Sequence, residues 1–195
     1  MFGKLLLYYL AFFAITFIWP TWQFWRREGI NPLVFESDDS AYGFVVQWFK
    51  LLIVATFALL AALAAGLDSA RLGQFGWLEL PAMRWLGIAC LALSIPVISL
   101  AQIAMGRSWR IGIDQAHETA LVTDGIFTRS RNPIFLGMRI NLLGLFMLVP
   151  TGATLAIWLL GDLLMGVQVR LEEAHLRGMN GAAYADYCRK VRRWV

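Results

Sequence analysis

Between Pro133 and Val169 the sequence is apolar for longer than one membrane crossing requires, and a turn signal, Pro150-Thr151-Gly152, divides the stretch near its middle. A spanning helix needs about 20 residues to cross a hydrocarbon core of about 30 Å. The stretch is therefore expected to fold as two limbs, Pro133 to Val149 and Thr151 to Val169, in a helical hairpin whose outer ends return to one surface. Those ends are polar. Arg131-Asn132 precedes the first limb, and Arg170-Leu171-Glu172-Glu173 follows the second. Two charged clusters distant in sequence must then meet.

The rest of the chain has the same character. Of its 195 residues, 59% are hydrophobic and 15% charged, against about 25% charged in a soluble domain. Mean hydropathy is +0.61. Hydropathy marks three earlier spans, Leu5 to Phe24, Phe44 to Gly66 and Trp85 to Met105. The expectation is an all-α integral membrane protein, a single membrane domain over residues 1–195 with five transmembrane helices and no soluble domain. Met1-Phe2-Gly3-Lys4 followed by apolar residues has the outline of a signal peptide. The stretch is aromatic-rich and lacks a small-residue cleavage site, however, so it reads as a retained first span. Cys90 lies in an apolar run far from Cys188, and His117 and His175 are the only histidines, so neither a disulfide nor a metal site is expected.

Five spans put the chain ends on opposite sides. One side carries Arg26, Arg27, Arg107, Arg110, Arg129, Arg131, Arg170, Arg177, Arg189, Lys190, Arg192 and Arg193, and the other only Lys4, Arg71 and Arg84. This asymmetry orients the C-terminus to the cytoplasm and the N-terminus outside. The net charge of +4 reads as topology and anionic-lipid contact, and no nucleic-acid signature occurs. On the cytoplasmic side lie the stretch 106–132 and the tail 170–195. Gly178, Asn180 and Gly181 are expected to break the helix leaving the fifth span. Tyr184, Tyr187, Cys188 and Val191 then recur at helical spacing, as in an amphipathic helix lying on or folding back against the membrane face. Tyr184 and Tyr187 are expected to be interfacial anchors and Pro96 to kink the third span.

With the turn centred between Pro150 and Thr151, residues equally distant from it lie at one depth. Arg139 then meets the level of Asp162, each about 16 Å from the turn. Isolated charges at that depth cost about 3 kcal/mol on insertion scales, so an Arg139–Asp162 pair is expected. The same rule sets Arg131 level with Arg170, and Arg129 level with Glu172, at the edge of the hydrocarbon. Geometry alone allows these to be a snorkelling belt. Asn132-Pro133 likewise fits a plain helix start, with asparagine as cap and proline at the first helical position.

The residues around these clusters carry a resemblance. Leu121-Val122-Thr123-Asp124-Gly125-Ile126-Phe127 and Arg131-Asn132-Pro133-Ile134-Phe135-Leu136-Gly137, then Glu172-Glu173, Leu176, Gly181, Tyr184, Tyr187, Val191 and Arg193, resemble the isoprenylcysteine carboxyl methyltransferase and phospholipid methyltransferase superfamily. Gly106-Arg107-Ser108-Trp109 also looks like its bacterial members. Asn132 stands where the family has histidine, and Phe127 and Phe135 where it has tyrosines. Asparagine keeps hydrogen-bonding capacity without acid–base function, and phenylalanine keeps only the ring face.

The resemblance implies S-adenosyl-L-methionine as methyl donor and a cytoplasmic cofactor pocket. The residues it assigns to the donor are Thr119, Ala120, Leu121, Val122, Gly125, Phe127, Arg131, Asn132, Pro133, Ile134, Phe135 and Glu172. A sulfonium is attracted to aromatic faces such as those of Phe127, Phe135 or Trp109. The partners are membrane lipids and a lipophilic or lipid-linked acceptor. A carboxylate acceptor would be held by Arg170 or Arg193, whereas an amine would need a base, Glu173 or a tyrosine. The compact form suggests a bacterial inner-membrane protein. Two rivals stay open: an NADPH-dependent membrane reductase of sterol-reductase type, and a non-enzymatic membrane protein. The residues do not indicate an oligomeric state.

Overall fold

A computed structural model describes residues 1–29, 31–32, 39–109 and 120–195. Every regular element among them is helical, apart from one isolated bridge between Gln74 and Thr151. Helix α1 (Phe2–Phe13) passes through a π-helical stretch, Ala14–Ile18, into α2 (Trp19–Glu28). Helix α3 covers Ala41–Ala64, α4 Pro81–Met105, α5 Pro133–Leu148 and α6 Gly152–Lys190. Among the described residues four helical rods, Phe2–Glu28, Ala41–Ala64, Pro81–Ser108 and Gly152–Lys190, are long and apolar enough to cross a membrane.

These account for four of the five expected spans, and the remaining one, α5, is shorter. Helix α5 has 16 residues, about 24 Å of rise, short of a hydrocarbon core of about 30 Å. Prolines set its length: Pro133 occupies its first turn, and Pro150 cannot extend it. At the turn, Thr151 and Thr154 cap the start of α6 reciprocally, each hydroxyl accepting from the other's backbone N–H at 3.2 Å. Pro96 lies inside α4, which continues as one helix.

The helices alternate in direction, as contacts at both ends of the bundle show. At one end Phe75 N–H donates to Pro150 O at 2.7 Å and Gly152 N–H to Gly73 O at 2.8 Å, so the α3–α4 connection rests on the hairpin turn. At the other, Arg107 pairs with Glu28 at 2.9 Å, and Trp109 packs on Phe24 with ring centroids 6.0 Å apart. Trp109 is thereby 3% exposed, packed inside the protein.

Helices α4 and α5 approach most closely. Gly87, Leu91, Ser94 and Ile98 recur at helical spacing on one buried face, opposite Gly137, Asn141 and Gly144. A Cβ on Gly144 would lie 3.0 Å from the Gly87 carbonyl oxygen. Lipid gives helices no hydrophobic reason to associate, so close van der Waals packing through small residues supplies the attraction. Polar bonds add to it. The Tyr8 hydroxyl donates to Leu91 O at 2.8 Å and accepts from Asn141 Nδ2 at 2.8 Å, and Asn141 also donates to Ser94 Oγ at 3.0 Å. Gln102 Nε2 donates at 2.6 Å to Thr16 O, within the π-helical stretch where the helical ladder changes register.

On the hairpin, Arg139 Nε donates to Asp162 Oδ1, the pair expected from equal depth. The Arg139 guanidinium also stacks on Trp194, 4.2 Å from its ring centroid. A double-mutant cycle with Arg139→Leu and Asp162→Asn should give a coupling of about 1 kcal/mol in thermal unfolding, the scale of interhelical bonds in membranes. Additive effects would mean that the two charges act independently.

The helix break is narrower than expected. Helix α6 runs through Gly178 and Asn180 and departs from helical geometry only at Gly181, with φ 48° and ψ −118°. Asn180 stays helical and donates its amide to Leu176 O at 3.2 Å. Beyond Gly181 the chain folds back, burying Tyr184 and Tyr187 to 1% and 7% exposure. Neither tyrosine is the surface anchor expected of it.

Candidate functional site

Along α6, Met165, Val169 and Glu173 form one ridge and Leu164, Gln168 and Glu172 the next, because residues four apart share a face. Met165 and Val169 are fully buried, and their ridge carries Glu173 into the body at 5% exposure. A carboxylate there needs partners, and three residues from two other segments supply them. Arg193 donates from Nε at 3.0 Å and Nη2 at 2.8 Å. Arg131 Nη2 lies at 3.4 Å, and Asn132 Nδ2 donates at 3.4 Å.

The backbone closes the same knot. Arg131 N–H donates to Arg192 O at 3.0 Å, while Asn132 Nδ2 and Ser130 Oγ reach Arg193 O at 3.2 and 3.3 Å. The Tyr187 hydroxyl donates to Phe127 O at 2.7 Å, and Arg131 Nη1 contacts Cys188 Sγ. The 125–132 segment, the upper part of α6 and the C-terminal segment thus converge on one buried carboxylate. Bonding to Glu173 favours the charged form of Arg193 and raises its pKa further.

The two clusters meet, but with different members from those expected. Arg129 is exposed, and Glu172 receives its hydrogen bond from Gln168 Nε2 at 2.9 Å rather than from an arginine. Arg170 is exposed and bonds back to Gly166 O on its own helix. The equal-depth rule fails here because it treats residues 131 and 132 as helical. They precede α5 in non-helical backbone, which advances up to about 3.3 Å per residue instead of 1.5 Å. Arg131 therefore reaches about a turn further along α6, to Glu173 instead of Arg170.

The other expected site residues gather nearby in varied settings. Pro133 is fully buried, and Phe127 is 8% exposed. Leu121, Val122, Ile134 and Phe135 are half-buried, whereas Ala120 and Gly125 are exposed. Gly125 has φ +58° and opens a short 3-10 turn, and Ala120 O accepts from Ser108 Oγ at 3.1 Å. Thr119 and His117 lie outside the described residues. Ser130, Gln168, Cys188 and Trp194 were not expected in the site. Only Gln168 carried a sequence signal, being polar and one turn before Glu172 in an apolar helix. Two buried polar atoms here have no partner among the described residues: Arg131 Nε, a donor, and Gln168 Oε1, an acceptor.

A helical bundle of this hydropathy, with its polar knot at one end, is an integral membrane protein. Residues 82–183 match the family model for phospholipid methyltransferase, just over half of the chain, and the chain belongs to that family. The superfamily resemblance carried by the motifs is borne out, and the family is one of membrane methyltransferases. A search of curated proteins found no match. The matched segment contains Arg131, Asn132, Glu172 and Glu173 and ends before Arg193.

Proposed function

We propose that this chain is an S-adenosylmethionine-dependent methyltransferase acting at the cytoplasmic membrane face on a lipid-like or membrane-embedded acceptor. The family match across residues 82–183 carries the reading, because that segment holds the polar helix start and both glutamates. In this reading α5 is a fifth, short crossing, the N-terminus lies outside, and the site faces the cytoplasm of a bacterial inner membrane. The residues fit the donor. Its methionine end is a zwitterion that needs one donor and one acceptor group, which the partnerless Arg131 Nε and Gln168 Oε1 supply. Arg131 and the free N–H groups opening α5 would hold the carboxylate, and Gln168 with Glu172 the ammonium. The half-buried Phe135 ring offers a face for a sulfonium.

The cofactor supplies an electrophilic methyl group, so the protein's part is mainly orientation. Glu173, committed to two arginines and an asparagine, is a positioning residue: it fixes Arg131, Asn132 and the C-terminal segment against α6. Glu172, bonded only to Gln168 among the described residues, is the freer carboxylate and the one left for the donor's ammonium. Arg170, exposed at the same end of the bundle, remains available to a carboxylate acceptor. Calorimetry of the purified protein should give saturable S-adenosylmethionine binding that Glu172→Gln weakens about tenfold with unchanged thermal stability. Unchanged affinity removes Glu172 from the donor site. Binding of NADPH in place of S-adenosylmethionine would replace this reading with the reductase one.

A further inference from the structure

Midway along the bundle, α1 with the π-helical stretch after it, α3, α5 and α6 line a half-open cavity of about 80 Å³. Its walls are almost wholly apolar, with Phe12, Phe49, Phe57, Met138 and Met165 among them. Three polar side chains also line it: Tyr9, Thr56 and Asn141. Two are already committed. The Thr56 hydroxyl donates to Leu52 O at 2.8 Å, and the Asn141 amide donates to Tyr8 and Ser94. Tyr9 is different. It is 5% exposed, and its buried hydroxyl has no hydrogen-bond partner among the described residues.

A tyrosine hydroxyl within a membrane bundle normally finds an acceptor, because leaving it unsatisfied costs about 1–3 kcal/mol. Phenylalanine would fill the same apolar space without that cost. The cavity is far smaller than the roughly 300 Å³ at which pockets begin to enclose compact ring-bearing ligands, so it suits a slender chain, and its methionine walls are adaptable. Asn141 lies eight residues beyond Pro133, about 12 Å of helix rise below the polar knot. A chain whose head reached the knot would bring its middle to this depth.

We infer that this cavity holds the hydrocarbon chain of the acceptor, and that Tyr9 donates a hydrogen bond to an uncharged oxygen carried in the middle of that chain. The substrate class is an oxygenated long-chain lipid, with a ketone, ether or ester oxygen well away from the methylated head. The assignment of the head to the polar knot rests on the proposed methyl transfer; the chain site does not.

The test compares octadecanoate with oxo-octadecanoate bearing its ketone at the tenth carbon, titrated into the purified protein in detergent. Wild type should bind the ketone about tenfold more tightly, the worth of one buried hydrogen bond. Tyr9→Phe, which keeps the ring, should reduce the ketone to the affinity of octadecanoate and leave octadecanoate unchanged. Met138→Trp, which fills the cavity, should weaken both. Equal affinities in wild type, or a ketone preference that survives Tyr9→Phe, would overturn the inference. S-adenosylmethionine affinity measured on the same samples separates the two readings. If the donor fails to bind while the Tyr9-dependent preference persists, the methyl-transfer reading falls and the chain site stands.

Discussion

Glu173→Ala is expected to abolish methyl transfer, by at least a hundredfold, and to lower stability by about 3–5 kcal/mol, the range for removing one partner of a buried ion pair. The carboxylate is 5% exposed and receives bonds from Arg193, Arg131 and Asn132. Alanine would leave Arg131 buried without its counter-charge and release the C-terminal segment that Arg193 holds. The loss of activity and the loss of stability share that cause, and they can be separated. Arg193→Lys keeps a positive charge but breaks the two-point contact. It should lower activity about tenfold with a smaller change in melting temperature. Membranes expressing each variant, assayed with radiolabelled methyl donor and followed by thermal melts of purified protein, provide both readouts. An active, stable Glu173→Ala protein would remove Glu173 as the frame of the site.

Gly144→Leu should be nearly as damaging, by a different route. A Cβ there lies 3.0 Å from the Gly87 carbonyl oxygen, Cys90 Cβ and Leu91 Cδ2. The nearest atoms include backbone, which cannot swing aside as the end of a side chain can. Overpacking of this kind costs about 1–3 kcal/mol and sometimes more. Separating α4 from α5 also shifts the Asn132–Pro133 start, so donor affinity should fall along with stability. The control is Gly178→Ala, a helical position with nothing within 4 Å of the added carbon. That change should leave stability equal or slightly raised, by up to about 1 kcal/mol. Size-exclusion profiles and melting temperatures in detergent compare the two, and a well-behaved Gly144→Leu protein would mean that α4 and α5 do not depend on close approach.

The parts of this architecture that were legible in the sequence are those fixed by local chemistry or simple counting. Pro150 and Thr151 marked the turn, Asn132-Pro133 marked the start of α5, and equal depth found Arg139 and Asp162. Counting failed once the chain left the helix, and so set Arg131 level with Arg170, about a turn short of Glu173. Sequence also could not rank Glu172 against Glu173. Neighbouring helical residues point about 100° apart, Val169 lies one turn below Glu173 and Gln168 one turn below Glu172, and only packing decides which ridge faces the knot. Arg193 was among the candidates, yet its bond to Glu173 depends on the sharp break at Gly181, one of three residues that looked equally able to break the helix. The partnerless Tyr9 hydroxyl was illegible, because a tyrosine in an aromatic-rich first span resembles its neighbours until the cavity around it is seen.

The pairing of Arg139 with Asp162 bears on how the protein is made as well as on how it stands. Helix α5 is short and carries an arginine well inside its length, so as an isolated segment it is a poor candidate for partition from the translocation channel into lipid. Helix α6 is long and apolar enough to enter, and it brings the aspartate that neutralises its partner. Biogenesis should therefore commit the two limbs together, with α5 waiting in or beside the channel until α6 has been synthesised. Truncating the chain after Leu148 in an insertion assay should leave α5 unintegrated, and extending it through Glu173 should integrate both limbs at once.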